Sequence, residues 1–339
     1  DLYQEGATGN DKVIYPVQPI YNSEGRVLLA RAIAPADDGL GLGATKIGVV
    51  ATTDDAGTGL VYGVKKQAET LDVEIIYQDV DAAATDYSAA VNVLKNNGCD
   101  VVIACMNQVP LATLMASMRD ADYNADRVIE CVKEAEEKGV KILVFPELTL
   151  TGCTCYDLIG HKVLLEGAKK ALIKVLAAAE DVDMLLFVGL PYAAGSRLYS
   201  CAAVIYSGEL LALVPRENVK GSPFAKPDAG AVEVSLGENR SAVLTTDGLF
   251  ANDCIPGLSV AVELGADRDA IVPPSVRHAV AGATVIAQMA SFPETVSSAK
   301  EAELQIRAQS ERLRCGMVLA APGKGESSTD NVYSGLCLA

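Results

Sequence analysis

Apolar positions in the first third of the chain fall into short β-branched runs separated by stretches of helical period. Lys46-Ile47-Gly48-Val49-Val50-Ala51 predicts a strand that ends in the polar turn Thr52-Thr53-Asp54-Asp55-Ala56-Gly57-Thr58-Gly59. Leu60, Val61, Val64, Ala68 and Leu71 then share one helical face. Glu74-Ile75-Ile76-Tyr77 reads as a second strand, and Asp86 to Asn96 as a second helix with Ala90, Val91, Val93 and Leu94 inward. Asp100-Val101-Val102-Ile103-Ala104-Cys105 is a third strand, apolar enough to be covered on both faces. Pro110 to Asp120 is a third helix with proline in its first turn. Such alternation implies a parallel sheet with right-handed crossovers. Ligands of such sheets sit beyond the carboxyl ends of the strands. Here those ends are Thr52-Thr53-Asp54-Asp55 and Met106-Asn107-Gln108.

Past Tyr123 the pattern changes. Asn124 to Gly139 is an amphipathic helix with a glycine stop. Val140-Lys141-Ile142-Leu143-Val144-Phe145 is a buried strand that delivers Pro146-Glu147. A second helix covers Val163 to Glu180, and strands follow at Met184 to Leu190 and Cys201 to Tyr206. The latter turns at Ser207-Gly208-Glu209 into Leu210-Leu211-Ala212-Leu213-Val214, a hairpin signal. This part is mixed α/β, with antiparallel pairs beside parallel ones.

Composition narrows the partners. At about 150 residues per domain, 339 residues suggest two or three domains. Half the residues are hydrophobic and 21% are charged, as in ordinary globular chains. A net charge of −16 argues against nucleic acid and against an anionic membrane surface. No apolar run reaches the roughly 18 residues of a membrane helix. The first residues, Asp1-Leu2-Tyr3-Gln4-Glu5, lack the pattern of a signal peptide. Nine scattered cysteines without paired CxxC motifs, and two histidines, make a metal site improbable. Buried thiols in a reducing, cytoplasmic setting are the simpler expectation. No cofactor is called for: Gly57-Thr58-Gly59 is followed by Gly63, which breaks the dinucleotide GxGxxG spacing.

Residues 13–124 resemble one lobe of the periplasmic solute-binding proteins for branched-chain amino acids. The resemblance is carried by Lys46-Ile47-Gly48-Val49-Val50, by Asp54-Asp55-Ala56-Gly57-Thr58-Gly59 and by Ala83-Ala84-Thr85-Asp86-Tyr87-Ser88-Ala89-Ala90. It implies a Rossmann-like parallel-sheet lobe over residues 1–124. It also makes Asp54, Asp55, Thr58 and Asn107 candidate contacts to a small amino acid.

Glu147 is the foremost chemical candidate on the second side. A carboxylate placed directly after a wholly apolar strand loses water, which disfavours its charged form and suits it to accept a proton. Capping a nearby backbone N–H is the alternative from position alone. Val144-Phe145-Pro146-Glu147-Leu148-Thr149-Leu150-Thr151-Gly152 resembles the nitrilase superfamily, in particular the glutaminase domain of glutamine-dependent NAD synthetase. The likeness continues through Arg197-Leu198-Tyr199-Ser200-Cys201, Pro273-Pro274-Ser275-Val276-Arg277-His278 and Gly325-Glu326-Ser327-Ser328-Thr329-Asp330. It implies a truncated carbon-nitrogen hydrolase domain over residues 125–339, folded as a four-layer αββα sandwich.

The resemblance also implies a glutamate base, a lysine that holds the oxyanion and a cysteine that attacks the amide. Glu147 matches the base. Arg216 follows Val214-Pro215 where the lysine is expected, and it keeps the charge with a different geometry. Gly265 stands at the nucleophile position, within Val262-Glu263-Leu264-Gly265-Ala266-Asp267. Loss of a nucleophile costs on the order of 10⁶ in turnover. Cys155, close to Glu147 in sequence and matching a cysteine common at that position in the family, and Cys254, which nothing in its position recommends, are the thiols that could substitute. Three readings remain open. One is a glutaminase-like domain with a broken catalytic set. The second is a solute-binding module of a transporter, with an amide or amino acid as partner. The third is a scaffold packing as a homo-oligomer.

Overall fold

The computed structural model describes residues 20–36, 41–118, 121–237, 240–326 and 331–339. Residues 13–19 and 37–40 of the first resemblance, Arg119 and Asp120 at the end of the third expected helix, and Ser327 to Asp330 of the last motif lie outside the described residues. The chain divides into two compact units, Asp1–Met118 and Arg119–Ala339. The break falls just ahead of residue 124, where the two resemblances meet.

The first unit runs α1 (Tyr21–Ile33), β1 (Ile47–Thr52), α2 (Asp55–Leu71), β2 (Ile75–Val80), α3 (Ser88–Asn96), β3 (Val101–Cys105) and α4 (Gln108–Met118). Its three strands form a parallel sheet in the order β2-β1-β3. The fully buried β1 is central, as its unbroken apolar sequence requires. One face packs Leu29, Leu60, Val61 and Val64 of α1 and α2 against Ile47, Val49 and Ile103. The other packs Leu94 and Leu114 against Val50.

α2 starts five residues before the expected Leu60. The polar stretch read as a turn is the helix's first turn instead. Asp54 supplies the cap that makes this possible, its Oδ1 accepting the Gly57 N–H at 2.9 Å.

The second unit opens with α5 (Ala121–Glu137), β4 (Ile142–Val144), α6 (Lys162–Ala178), β5 (Leu185–Ala194), β6 (Arg197–Tyr206) and β7 (Glu209–Pro215). It continues with β8 (Ala231–Gly237), β9 (Arg240–Thr245), β10 (Phe250–Ala251), β11 (Ser259–Leu264), α7 (Pro274–Val280) and β12 (Val285–Met289). It closes with α8 (Ser298–Leu313), β13 (Gly316–Ala320) and β14 (Cys337–Leu338). One sheet has six strands in the order β4-β5-β6-β7-β9-β8, the other five in the order β10-β11-β12-β13-β14.

The two sheets face each other through Phe187, Val204 and Val214 on one side and Val260, Val262 and Met289 on the other. Helices α5 and α6 cover the outer face of the six-stranded sheet through Val128, Val132, Leu172 and Leu176. Ile306 of α8 and Ala279 of α7 cover the five-stranded sheet over Ala261, Ile286 and Leu319. The result is the four-layer αββα sandwich, with period-two alternation in β6 and β11 dividing each strand's side chains between two cores.

Candidate active site

β4 is shorter than its apolar run suggests. Val140 is taken by the end of α5, where its N–H reaches the Ala135 carbonyl at 2.9 Å. Phe145 already belongs to the turn that carries Glu147. That turn is held between the sheets: the Phe145 N–H donates to Phe187 O and the Glu147 N–H to Ala290 O, both at 3.0 Å. Gly189 on β5 makes room for it, since a Cβ there would lie 2.9 Å from the Glu147 carbonyl carbon.

Glu147 is 1% exposed. Its Oε1 accepts from Ser200 Oγ at 2.6 Å and from Arg216 Nη1 at 2.9 Å, and its Oε2 accepts from Ser291 Oγ. A buried carboxylate is tolerable only when paired and hydrogen-bonded, and three donors on two oxygens meet that condition. Arg216 follows the last residue of β7. Its N–H donates to the Ser200 carbonyl at 2.8 Å, and its guanidinium lies over Phe224 with 5.1 Å to the ring centre. Its Nε is buried and meets no acceptor.

Gly265 begins the short 3₁₀ segment Gly265–Asp269 at the carboxyl end of β11. Its φ is +47°, and its missing side chain faces Glu147. A Cβ there would lie 2.9 Å from Glu147 Cδ and closer still to Oε2. Glu147, Arg216 and Gly265 therefore come together although they lie far apart in sequence. Cys155 is buried, with its thiol turned to the Thr151 carbonyl at 3.1 Å, and Cys254 is exposed.

One further buried carboxylate fastens this site. Asp267 is buried, and its Oδ1 accepts the N–H groups of Glu217 at 3.0 Å and Asn218 at 2.6 Å. Its Oδ2 accepts the Leu264 N–H at 3.3 Å. It thus ties the segment after Arg216 to the segment around Gly265. Burial, reinforced by neighbouring Glu263, pushes the Asp267 carboxyl up to about 7 despite those three donors. Glu263 faces the helix layer, where Ser275 N–H and Gln288 Nε2 donate to it at 3.1 and 2.8 Å. Desolvation raises its carboxyl too.

The sequence reading missed Ser200 and Ser291. The available signal for Ser200 was one polar residue inside the apolar run Tyr199 to Ile205. Ser275, His278 and Asp267, which have the composition of a hydrolase triad, are all buried. Asp267 is committed to backbone donors.

In the first unit, Asp54, Asp55, Thr58 and Asn107 stand past the carboxyl ends of β1 and β3. Asp54 is occupied: besides the Gly57 N–H, it accepts from Thr52 Oγ1 at 2.7 Å. These two bonds hold its carboxyl below the usual range. Thr58 Oγ1 donates to the Asp54 carbonyl at 2.8 Å. Asp55, Thr58 and Asn107 are exposed. Among the described residues no cluster of three His, Cys, Asp or Glu could hold a metal, and no helix is long and apolar enough to cross a membrane.

The αββα layering and a glutamate–cation pair at the strands' carboxyl edge define a nitrilase-type architecture. Residues 103–322 match the carbon-nitrogen hydrolase family, and the chain belongs to that family. Residues 10–138 match the periplasmic binding protein family, so 103–138 fall within both matches.

The chain is similar to glutamine-dependent NAD(+) synthetase of Mycobacterium leprae (strain TN), 33% identical over 235 residues, 67% of this chain and 34% of that one. The same enzyme of Mycobacterium tuberculosis (strain ATCC 25618 / H37Rv) is 32% identical over the same shares. This chain therefore spans about a third of the length of these curated relatives. A solved glutamine-dependent NAD(+) synthetase from Cytophaga hutchinsonii superposes with a TM-score of 0.56 at 20% identity, covering 65% of this chain and 36% of that one. A second, from Acinetobacter baumannii, gives 0.52 at 18%, covering 65% and 38%. At such identities the two structures attest the fold alone.

Proposed function

We propose that the chain carries a glutaminase-like carbon-nitrogen hydrolase domain, related to the ammonia-supplying part of NAD synthetase, whose amide hydrolysis has been lost. In this reading Glu147 holds the place of the base, Arg216 that of the oxyanion lysine and Gly265 that of the nucleophile. The observation that supports it most is that Gly265, which has no side chain, packs its bare face against Glu147. Where a thiol would attack the amide carbon there is no side chain, so no acyl-enzyme can form at that position. Glu147 also meets a cation and two hydroxyl donors, leaving a carboxylate already satisfied. Nine cysteines held as reduced thiols fit work in the cytoplasm, since an oxidising compartment favours disulfides.

The test is ammonia release from glutamine by the purified chain. The expected result is no turnover above the uncatalysed background. Steady ammonia production, together with an acyl adduct trapped on a residue beside Glu147, overturns the reading.

A second activity is favoured by the periplasmic binding protein match over residues 10–138 and by the exposed polar groups at the carboxyl edge of the first sheet. In it the first unit binds a small amino acid through Asp55, Thr58 and Asn107, with Asp54 shaping the loop. Calorimetry against leucine, valine and glutamine reads it: saturable heat lost in Asn107→Ala supports the site, and no heat with any of the three removes it.

A further inference from the structure

Glu147, Arg216 and Gly265 stand at the finishing ends of β4, β7 and β11. At the starting ends of the same strands the core between the sheets opens to water in a cavity of about 470 Å³. That volume falls within the range of small-ligand pockets. Ile142, Leu185, Phe250 and Leu258, which pack on the core between the sheets, line it. Leu211 and Ile255 line it too, 41% and 44% exposed. None of these six apolar residues is fully buried, so a ligand can reach them.

The charged groups of this cavity are of two kinds. Lys141 and Asp183 satisfy each other: Lys141 Nζ donates to Asp183 Oδ2 at 2.6 Å, and the Tyr206 hydroxyl donates to Oδ1 at 2.8 Å. Asp253 is exposed and forms no ion pair among the described residues. It sits in a turn fixed by Asn252, whose Oδ1 accepts the N–H groups of Cys254 and Ile255 at 2.8 and 2.9 Å. With Lys141 cancelled by Asp183, the lining keeps one uncompensated negative charge, that of Asp253.

We infer that this cavity binds an organic monocation, an apolar chain or ring that carries one ammonium. The apolar body displaces water from Phe250 and its aliphatic neighbours. The ammonium stays at the mouth beside Asp253, where it remains hydrated and avoids the cost of burying a charge. A carboxylate with the same tail fits less well, because its charge meets Asp253 while the only lining lysine is engaged. The site lies wholly within the second unit and uses none of the three residues Glu147, Arg216 and Gly265. It stands whether or not the chain hydrolyses amides.

The test is titration calorimetry of the full chain at neutral pH with hexylamine, hexanoate and 1-hexanol, which share one tail and differ in charge. Saturable hexylamine binding is expected, tighter than that of hexanoate by about fivefold or more. Asp253→Asn should remove that preference. Leu211→Trp, which fills the cavity, should weaken hexylamine by about tenfold or more. Both positions are exposed, so these replacements leave the core intact. Hexylamine should also slow alkylation of Cys254 by iodoacetamide, read by mass spectrometry, while exposed Cys131 and Cys337 react as before. Absence of saturable hexylamine binding overturns the proposal, and so does binding indifferent to Leu211→Trp or equal protection of all three cysteines. Hexanoate or hexanol binding as tightly, or a preference that survives Asp253→Asn, also overturns it, by marking an apolar hole without charge recognition. Ammonia release reports on the Glu147 site and leaves this outcome untouched.

Discussion

Arg216 donates from Nη1 to Glu147 Oε1 across 2.9 Å, with the two side chains 9% and 0% exposed. A pair so far removed from water gains much of its worth from each partner's presence rather than from net attraction. Arg216→Met leaves Glu147 as a buried charge with only two hydroxyl donors. Stability to denaturant is expected to fall by about 3 kcal/mol or more. The double variant Glu147→Gln with Arg216→Met removes both charges and should regain most of that loss. Equal destabilisation in the single and double variants would show that the pair is not the source.

Glu147 fills the space that a side chain at 265 would need. Gly265→Ala meets two costs: the left-handed backbone, about 1–2 kcal/mol for a residue with a Cβ, and the encounter with the carboxylate. In a Glu147→Ala background only the first remains. Denaturant melts followed by circular dichroism should therefore give a smaller penalty for Gly265→Ala there than in the parent chain. Identical penalties would mean that the carboxylate yields freely.

A thiol alone should restore little. Gly265→Cys places its Cβ against Glu147 and keeps an arginine, with its fork of donors, where the resemblance implies a lysine. Ammonia release from glutamine is expected to stay at background in Gly265→Cys and to rise only when Arg216→Lys is added. Robust turnover in the single variant would assign the whole defect to the missing sulfur.

The pattern of strands and helices is legible because each buried face declares itself in apolar periodicity, and Glu147 because it ends an apolar strand, whereas Arg216 and Gly265 are marked only by the resemblance. Glu147, Arg216 and Gly265 could be placed at strand ends without knowing that β4, β7 and β11 converge. What stayed hidden is what no periodicity encodes. The serines at 200 and 291 look like any others until the two sheets bring them to one carboxylate. The start of α2 was read five residues late because threonine and aspartate suit a turn as well as a cap, and only the Asp54 to Gly57 bond decides between them. β4 was read too long because Val140 is as apolar when it closes α5 as when it opens a strand.

That cap is itself testable. Asp54→Ala removes the side-chain acceptor for Gly57 N–H and for Thr52 Oγ1. A loss of about 1 kcal/mol is expected in the unfolding of the first unit, as for other N-cap truncations, with the second unit unaffected. Asp54→Asn and Asp54→Ser retain an acceptor and should cost less. A loss in Asp54→Ser equal to that in Asp54→Ala would mean that the cap contributes nothing.

Asp267 and His278 give the chain opposing responses to pH. Burial raises the Asp267 carboxyl from 3.8 to about 7, so between those values the folded chain binds a proton that the unfolded chain has released. Its contribution is complete below pH 3.8, declines as pH rises, and is gone above about 7. His278 runs the other way. Burial lowers its imidazole below 6.5, and its Nε2 is buried without a partner, so its contribution is complete above 6.5 and falls away in acid. Asp267→Asn should flatten the decline on the alkaline side, and it also trades the carboxylate for an amide whose single oxygen cannot serve all three N–H donors. Its stability curve should therefore lie lower overall while losing slope between pH 4 and 7, a combination read from denaturant midpoints in buffers across that interval. A curve displaced downward with unchanged slope would show that Asp267 is charged throughout and acts only as a clamp.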